Sequence, residues 1–126
     1  MRVIKFRGQN YKGTWYRGQL VTHGRFWCIE DAIKVVRINP KTIGQFTGMT
    51  DMDGKEIWEG DIIEARLIDA TLTKDNVKRG VVVYNDTAAA FCLNDASGFP
   101  KGLLCTTEQI SLVKVIGNIY DNKELL

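Results

Sequence analysis

The 126-residue sequence predicts an all-β protein, a small β-barrel preceded by a β-hairpin region and closed by a short C-terminal helical turn. Two patterns carry that prediction. Apolar and polar residues alternate in short runs enriched in aromatic and β-branched side chains, as in Val3-Ile4-Lys5-Phe6-Arg7 and Thr14-Trp15-Tyr16-Arg17. Turn residues, with Gly foremost, punctuate the chain at short intervals, and strands this short and this frequent are the mark of small barrels.

Each element follows from its local chemistry. Residues 3–7 read as a strand, 8–13 as its turn and 14–21 as the returning arm of a hairpin. The turn at 22–25 leads into Phe26-Trp27-Cys28-Ile29, and 35–38 reads as a further strand. Asn39-Pro40 opens a turn, because the proline ring sets φ at the second turn position and the Asn side chain bonds the backbone beyond it. In the next strand Ile43, Gln45 and Thr47 share one side while Gly44, Phe46 and Gly48 share the other, a face open to close approach. Asp51-Met52-Asp53-Gly54-Lys55 is a tight turn whose Asp accepts backbone N–H groups.

Residues 56–68 read as one long strand bent at Gly60, so Gly60 and Asp61 are the architectural positions of the second half. The polar stretch 69–79 reads as a surface loop. Gly80-Val81-Val82-Val83-Tyr84 is a buried strand, 85–87 turns the chain and 88–93 pairs back. A loop at 98–102 precedes a closing strand at 111–120, and Asp121-Asn122-Lys123-Glu124 has the form of a capping box. The division between the hairpin region and the barrel falls at Gly48, giving regions 1–48 and 49–126.

Composition narrows the function classes. No apolar run approaches the roughly 18–20 residues of a membrane span, and the opening residues interleave charge with apolar side chains, unlike a signal peptide. Cys28, Cys92 and Cys105 are odd in number and lack CxxC spacing, so neither a disulfide framework nor a closed zinc site is expected. A reducing, cytoplasmic setting fits. The net charge of +2 conceals an asymmetry: residues 1–40 hold eight Lys or Arg against Glu30 and Asp31, whereas the remainder holds nine basic and thirteen acidic residues.

The candidate chemistries thin out on inspection. Placing Gly54 at the sixth position of a calcium loop puts Met49 first and Gly60 twelfth, where carboxylates are required. Glu56, Glu59, Asp61 and Glu64 cluster in sequence, a pattern more common for a solvated sheet edge than for a metal site. His23 is the only histidine, Ser97 and Ser111 lack a nucleophile-elbow context, and the glycines at 8–18 precede no helix. A non-catalytic protein without cofactor or metal is therefore expected.

Two binding readings remain. The run from Met1 to Trp27 has Arg2, Lys5, Arg7, Lys12, Arg17 and Arg25, no acidic residue, and interleaved aromatics, which is a composition that holds phosphates and stacks bases. Lys5 and Arg7 share a strand face opposite Ile4 and Phe6, so they are expected to form an outward stripe while Phe6 turns to the core. The preferred reading is self-association or contact with another protein through the N-terminal strands. Candidate contact residues under either reading are Lys5, Arg7, Trp15 and Arg17, with nucleic acid as the alternative partner.

Lys5-Phe6-Arg7-Gly8, the block Ile43-Gly44-Gln45-Phe46-Thr47-Gly48 with Asp51-Met52-Asp53-Gly54-Lys55-Glu56-Ile57-Trp58-Glu59-Gly60-Asp61-Ile62, and Val115-Ile116-Gly117-Asn118-Ile119-Tyr120-Asp121-Asn122 with Leu125-Leu126 resemble the YopX family, in order along nearly the whole chain. The resemblance implies a phage or prophage origin, a β-rich N-terminal part, a C-terminal SH3-like small barrel, self-assembly, and no assigned activity. The exposed edges of a small barrel with a hairpin arm make a host or phage protein an expected partner, and the resemblance carries nothing onto residues 69–79 or 88–107.

Overall fold

A computed structural model of the chain describes residues 2–67, 76–94, 100–103 and 110–125. The described residues form eleven antiparallel strands and two 310 turns. The chain divides into two compact units, Met1–Gly48 and Met49–Leu126.

In the first unit β1 (Phe6–Gln9), β2 (Trp15–His23), β3 (Phe26–Glu30), β4 (Val35–Arg37) and the start of β5 (Gly44–Thr50) lie in the order β4-β3-β2-β1-β5. The opening strand sits later than the alternation predicts: Gly8 and Gln9 pair with Tyr16 and Trp15 instead of turning. The reason is packing, since a Cβ on Gly8 would collide with the side chain of Ile38, so glycine here lets Ile38 lie on the strand. Ile29 and Ile38 are fully buried. The Asn39-Pro40 turn forms as predicted, as a 310 turn over Pro40–Thr42 with the Asn39 side chain accepting from Lys41 N–H. Thr42 Oγ1 then accepts the Gln9 N–H at 2.8 Å and Asn39 N–H donates to the Gln9 carbonyl at 2.8 Å, satisfying the buried end of β1.

The second unit contains β6 (Glu56–Trp58), β7 (Asp61–Leu67), β8 (Asn76–Asn85), β9 (Ala90–Asn94), β10 (Pro100–Leu103) and β11 (Ile110–Asn118). Five of these form a sheet in the order β10-β9-β8-β7-β11. Register places Ile63, Ala65, Val82, Leu93 and Val115 on one face, where they form the core with Ile57 of β6. Among the described residues β10 and β11 stand at opposite edges, so the predicted barrel closure is not seen and the unit is an open antiparallel sheet. Register shifts at Lys101/Leu103, Ile110/Leu112 and Val115/Gly117 interrupt the ladder at both edges.

Other boundaries also differ from the sequence reading. The predicted strand 56–68 is two strands, because Gly60 adopts φ +91° in the turn between them. The predicted loop 69–79 gives way to strand from Asn76, with Glu64 directly opposite an exposed Arg79 and a 3.3 Å ion pair between them. Residues 69–75 lie outside the described part. Pro100 begins edge strand β10, a position where the missing N–H is tolerated, and residues 98–99 lie outside the described part. The C-terminal turn is a 310 turn, Lys123–Leu125, prepared by Asn118 Oδ1 accepting from the Tyr120 and Asp121 N–H groups. No described helix is long and apolar enough to cross a membrane.

The turn at 51–55 forms as its sequence predicts and reaches further. Asp51 Oδ1 accepts from the Asp53 and Lys55 N–H groups, each at 2.9 Å, and Oδ2 accepts from Val115 N–H of β11 at 3.0 Å. Burial alone pushes this carboxyl up, but the three N–H donations and the nearby Lys55 charge outweigh it and hold the pKa below the usual carboxylate value of 3.8. A depressed folded pKa stabilises the protein above the unfolded value and ceases to do so as pH falls through the folded value.

Asp51→Ala is therefore expected to cost about 1–3 kcal/mol of unfolding free energy in urea titrations at neutral pH. The gap from the wild type should shrink as the pH drops below 3.8, and a gap constant down to about pH 2 would contradict this assignment. At Gly60 a Cβ would stand 3.0 Å from the Tyr120 ring as well as straining the backbone. Gly60→Ala should cost at least about 1–2 kcal/mol, read as a lower denaturation midpoint; an unchanged midpoint would show that the turn relaxes freely.

Candidate binding surface

Cation-over-ring contacts organise the first unit. Arg7 and Trp15 are diagonal neighbours across the β1–β2 pairing, and the guanidinium stacks 4.5 Å from the ring centroid. Lys5 lies 4.8 Å over Phe46 and Lys34 5.0 Å over Tyr16. Arg37 lies 3.7 Å over Phe26 and 5.4 Å over Tyr11.

The predicted contact residues separate under this arrangement. Arg7 is buried, only 6% exposed, and Trp15 beneath it is half-buried. Lys5 is half-buried, whereas Arg17, directly opposite Arg7 in register, is exposed. The outward Lys5/Arg7 stripe with Phe6 turned to the core is thus corrected: Arg7 goes inward and Phe6 is only half-buried. Alternation states that Arg7 and Phe6 oppose one another, and the aromatic partner for the guanidinium decides which of them turns in.

Exposed apolar and aromatic side chains of this unit stand at Val3 and Ile4 ahead of β1, and on β3, β4 and the turns that flank β2 and β4. Tyr11 is 64% exposed, Phe26 44% and Ile33 90%, with Trp27 and Val35 also exposed. Arg37 joins Tyr11 and Phe26 although 26 and 11 positions separate it from them in sequence. Tyr11 and Phe26 stand in the N-terminal basic and aromatic run, but no sequence signal links Arg37 to them.

β4 is the edge of its sheet. Asp31 N–H donates to Lys34 O, and Ile38 N–H donates to Trp27 O, so residues 34, 36 and 38 direct their backbone groups toward β3. By strand parity, Val35 and Arg37 direct theirs outward. The Asp31 side chain closes the preceding turn by accepting from the Ile33 and Lys34 N–H groups, which lowers its pKa and keeps it ionised.

Two buried carboxylates of the second unit, Asp51 and Asp61, are engaged in the fold. Asp61, buried, accepts the Trp58 N–H at 2.7 Å, so the Glu59/Asp61 pair expected at a sheet edge is split between a half-buried and a structural residue. Cys28 and Cys92 are buried free thiols, and Cys105 lies outside the described residues. Among the described residues no three His, Cys, Asp or Glu side chains gather as metal ligands.

Comparisons with known proteins match both the order of motifs and the fold. No curated protein sequence matches the chain. Among solved structures, the crystal structure of protein EF1440 from Enterococcus faecalis aligns with TM-score 0.57 and 22% identity, over 100% of this chain and 99% of that one. At that identity the likeness bears on the fold alone. The family profile described as YopX protein matches residues 5–126, nearly the full sequence, and the chain accordingly belongs to the YopX family.

Proposed function

We propose that this YopX-family chain is a phage or prophage accessory protein that acts in the bacterial cytoplasm by binding, without catalysis, and that its first unit assembles with a second copy through the edge of β4. The free edge carries the reading: Val35 and Arg37 offer outward backbone groups beside a 90% exposed Ile33. An antiparallel two-fold pairing centred on Val36 sets Val35 of each copy opposite Arg37 of the other, so the two Arg37 side chains do not directly oppose. Arg17 on β2 and Lys5 beside β1 lie away from the β4 edge, and Arg7 with Trp15 orders the inner strands of the sheet that presents it.

The non-catalytic part of the reading is supported by the use made of the buried carboxylates, since Asp51 and Asp61 both accept backbone N–H groups. Buried thiols at Cys28 and Cys92 suit a reducing compartment. The strand order β10-β9-β8-β7-β11, a meander whose last strand returns to pair with its first, supports an SH3-like character for the second unit.

Val35→Pro separates assembly from folding, because it deletes an N–H that points away from the sheet. Light scattering coupled to sizing chromatography should show a dimer for the wild type at roughly 100 µM and a monomer for Val35→Pro with an unchanged circular dichroism spectrum. A wild type that stays monomeric across that range, or a variant that dimerises equally, overturns the reading.

A further inference from the structure

We propose that the Tyr11–Arg37–Phe26 cluster is a binding site for single-stranded nucleic acid, with the rings stacking on unpaired bases and the guanidinium holding phosphate. This site uses the Arg37 side chain and not the backbone edge of β4, and does not require assembly.

The cluster has the chemistry of a stacking platform. Arg37 lies close enough over Phe26 to make a 3.7 Å contact and also approaches Tyr11, while both rings keep much of their surface in solvent. A guanidinium held against a ring keeps its in-plane donors available for phosphate oxygens, which a flexible ammonium does not match. Exposed rings offer faces on which bases stack regardless of sequence. Three residues from separate parts of the chain are thus preorganised, which lowers the ordering cost of binding.

The surrounding charge has the right sign. Residues 1–48 contain nine Lys or Arg and only two acidic residues, Glu30 and Asp31. His23 stands opposite Phe26 in register and Arg25 is exposed in the intervening turn. Glu30 is four residues along β3 from Phe26, roughly 13 Å away at strand rise, and Asp31 is occupied with its own turn. Glu30 is the diagonal neighbour of Arg37, two positions beyond its register partner Cys28, so the cationic excess lies toward the Phe26 end of β3, beside Arg25. Duplex DNA would hide its base faces from these rings, so the geometry favours unpaired strands over duplex.

The two-fold pairing at β4 would leave both copies' clusters on one sheet face, so the two readings are compatible but independently testable. Fluorescence anisotropy of labelled oligothymidylate and oligouridylate, about 12 nucleotides long, against the full chain should give saturable binding that weakens as salt rises. Tyr11→Ala and Phe26→Ala should each weaken it roughly tenfold, and Arg37→Lys should weaken it less than Arg37→Ala. A duplex of equal length should bind at least about tenfold more weakly.

Absence of saturable binding at low salt overturns the proposal. So does equal affinity for duplex, or undiminished binding by Phe26→Ala and Tyr11→Ala variants that retain the wild-type circular dichroism spectrum. Repeating the titration with Val35→Pro distinguishes the two readings: binding retained by a monomeric variant assigns the site to the cluster itself, and binding lost with the dimer overturns a site that works without assembly.

Discussion

One carboxylate joins parts of the second unit that are far apart in sequence. Asp51 takes two N–H groups of its own turn and a third from Val115, 64 residues away, and Met52 N–H donates to the Val113 carbonyl beside it. A five-stranded sheet with a small one-sided core has limited apolar area to secure its edge strand. Placing an ionised acceptor where three backbone donors converge supplies directional bonds where burial is thin, and charge-assisted bonds of this kind exceed neutral ones. Register at β11, and with it the alignment of Val115 against Ile63 in the core, follows from that placement.

The first unit solves a different problem with different chemistry. Its 48 residues carry nine cations, and several of them are stacked on aromatic rings. Stacking lets a cation shed part of its water against a ring face without being neutralised by it. The net charge of the unit is therefore preserved while its side chains become ordered. An ordered surface with a cationic excess suits polyanion recognition, and it distinguishes this unit from the second one, whose acidic residues include Asp51 and Asp61, used as internal backbone acceptors.

Edges are a second feature of the architecture. Short strands limit the liability of an open sheet, and β4, at three residues, is short. Its exposed first residue Val35 and the exposed Ile33 before it nonetheless leave it unblunted by lysine or proline at the pairing positions. Edge pairing and side-chain stacking draw on different atoms of the same strand: backbone groups of β4 for one, the Arg37 side chain for the other. One short strand can therefore serve both without either contact displacing the other.

The all-β class, the turns at Asn39-Pro40 and at 51–55, the basic N-terminal bias and the family motifs were all legible in the residue order. Each depends on neighbours within a few positions, where φ preferences and side-chain-to-backbone bonds operate. Tertiary structure alone decided that Arg7 turns inward onto Trp15, that Gly8 underlies Ile38, that Asn76 to Arg79 extend β8, and that Tyr11, Phe26 and Arg37 meet. Alternation fixes which side chains share a face but not which face is buried, and pairing register brings distant residues together; both are settled only when strands find their partners.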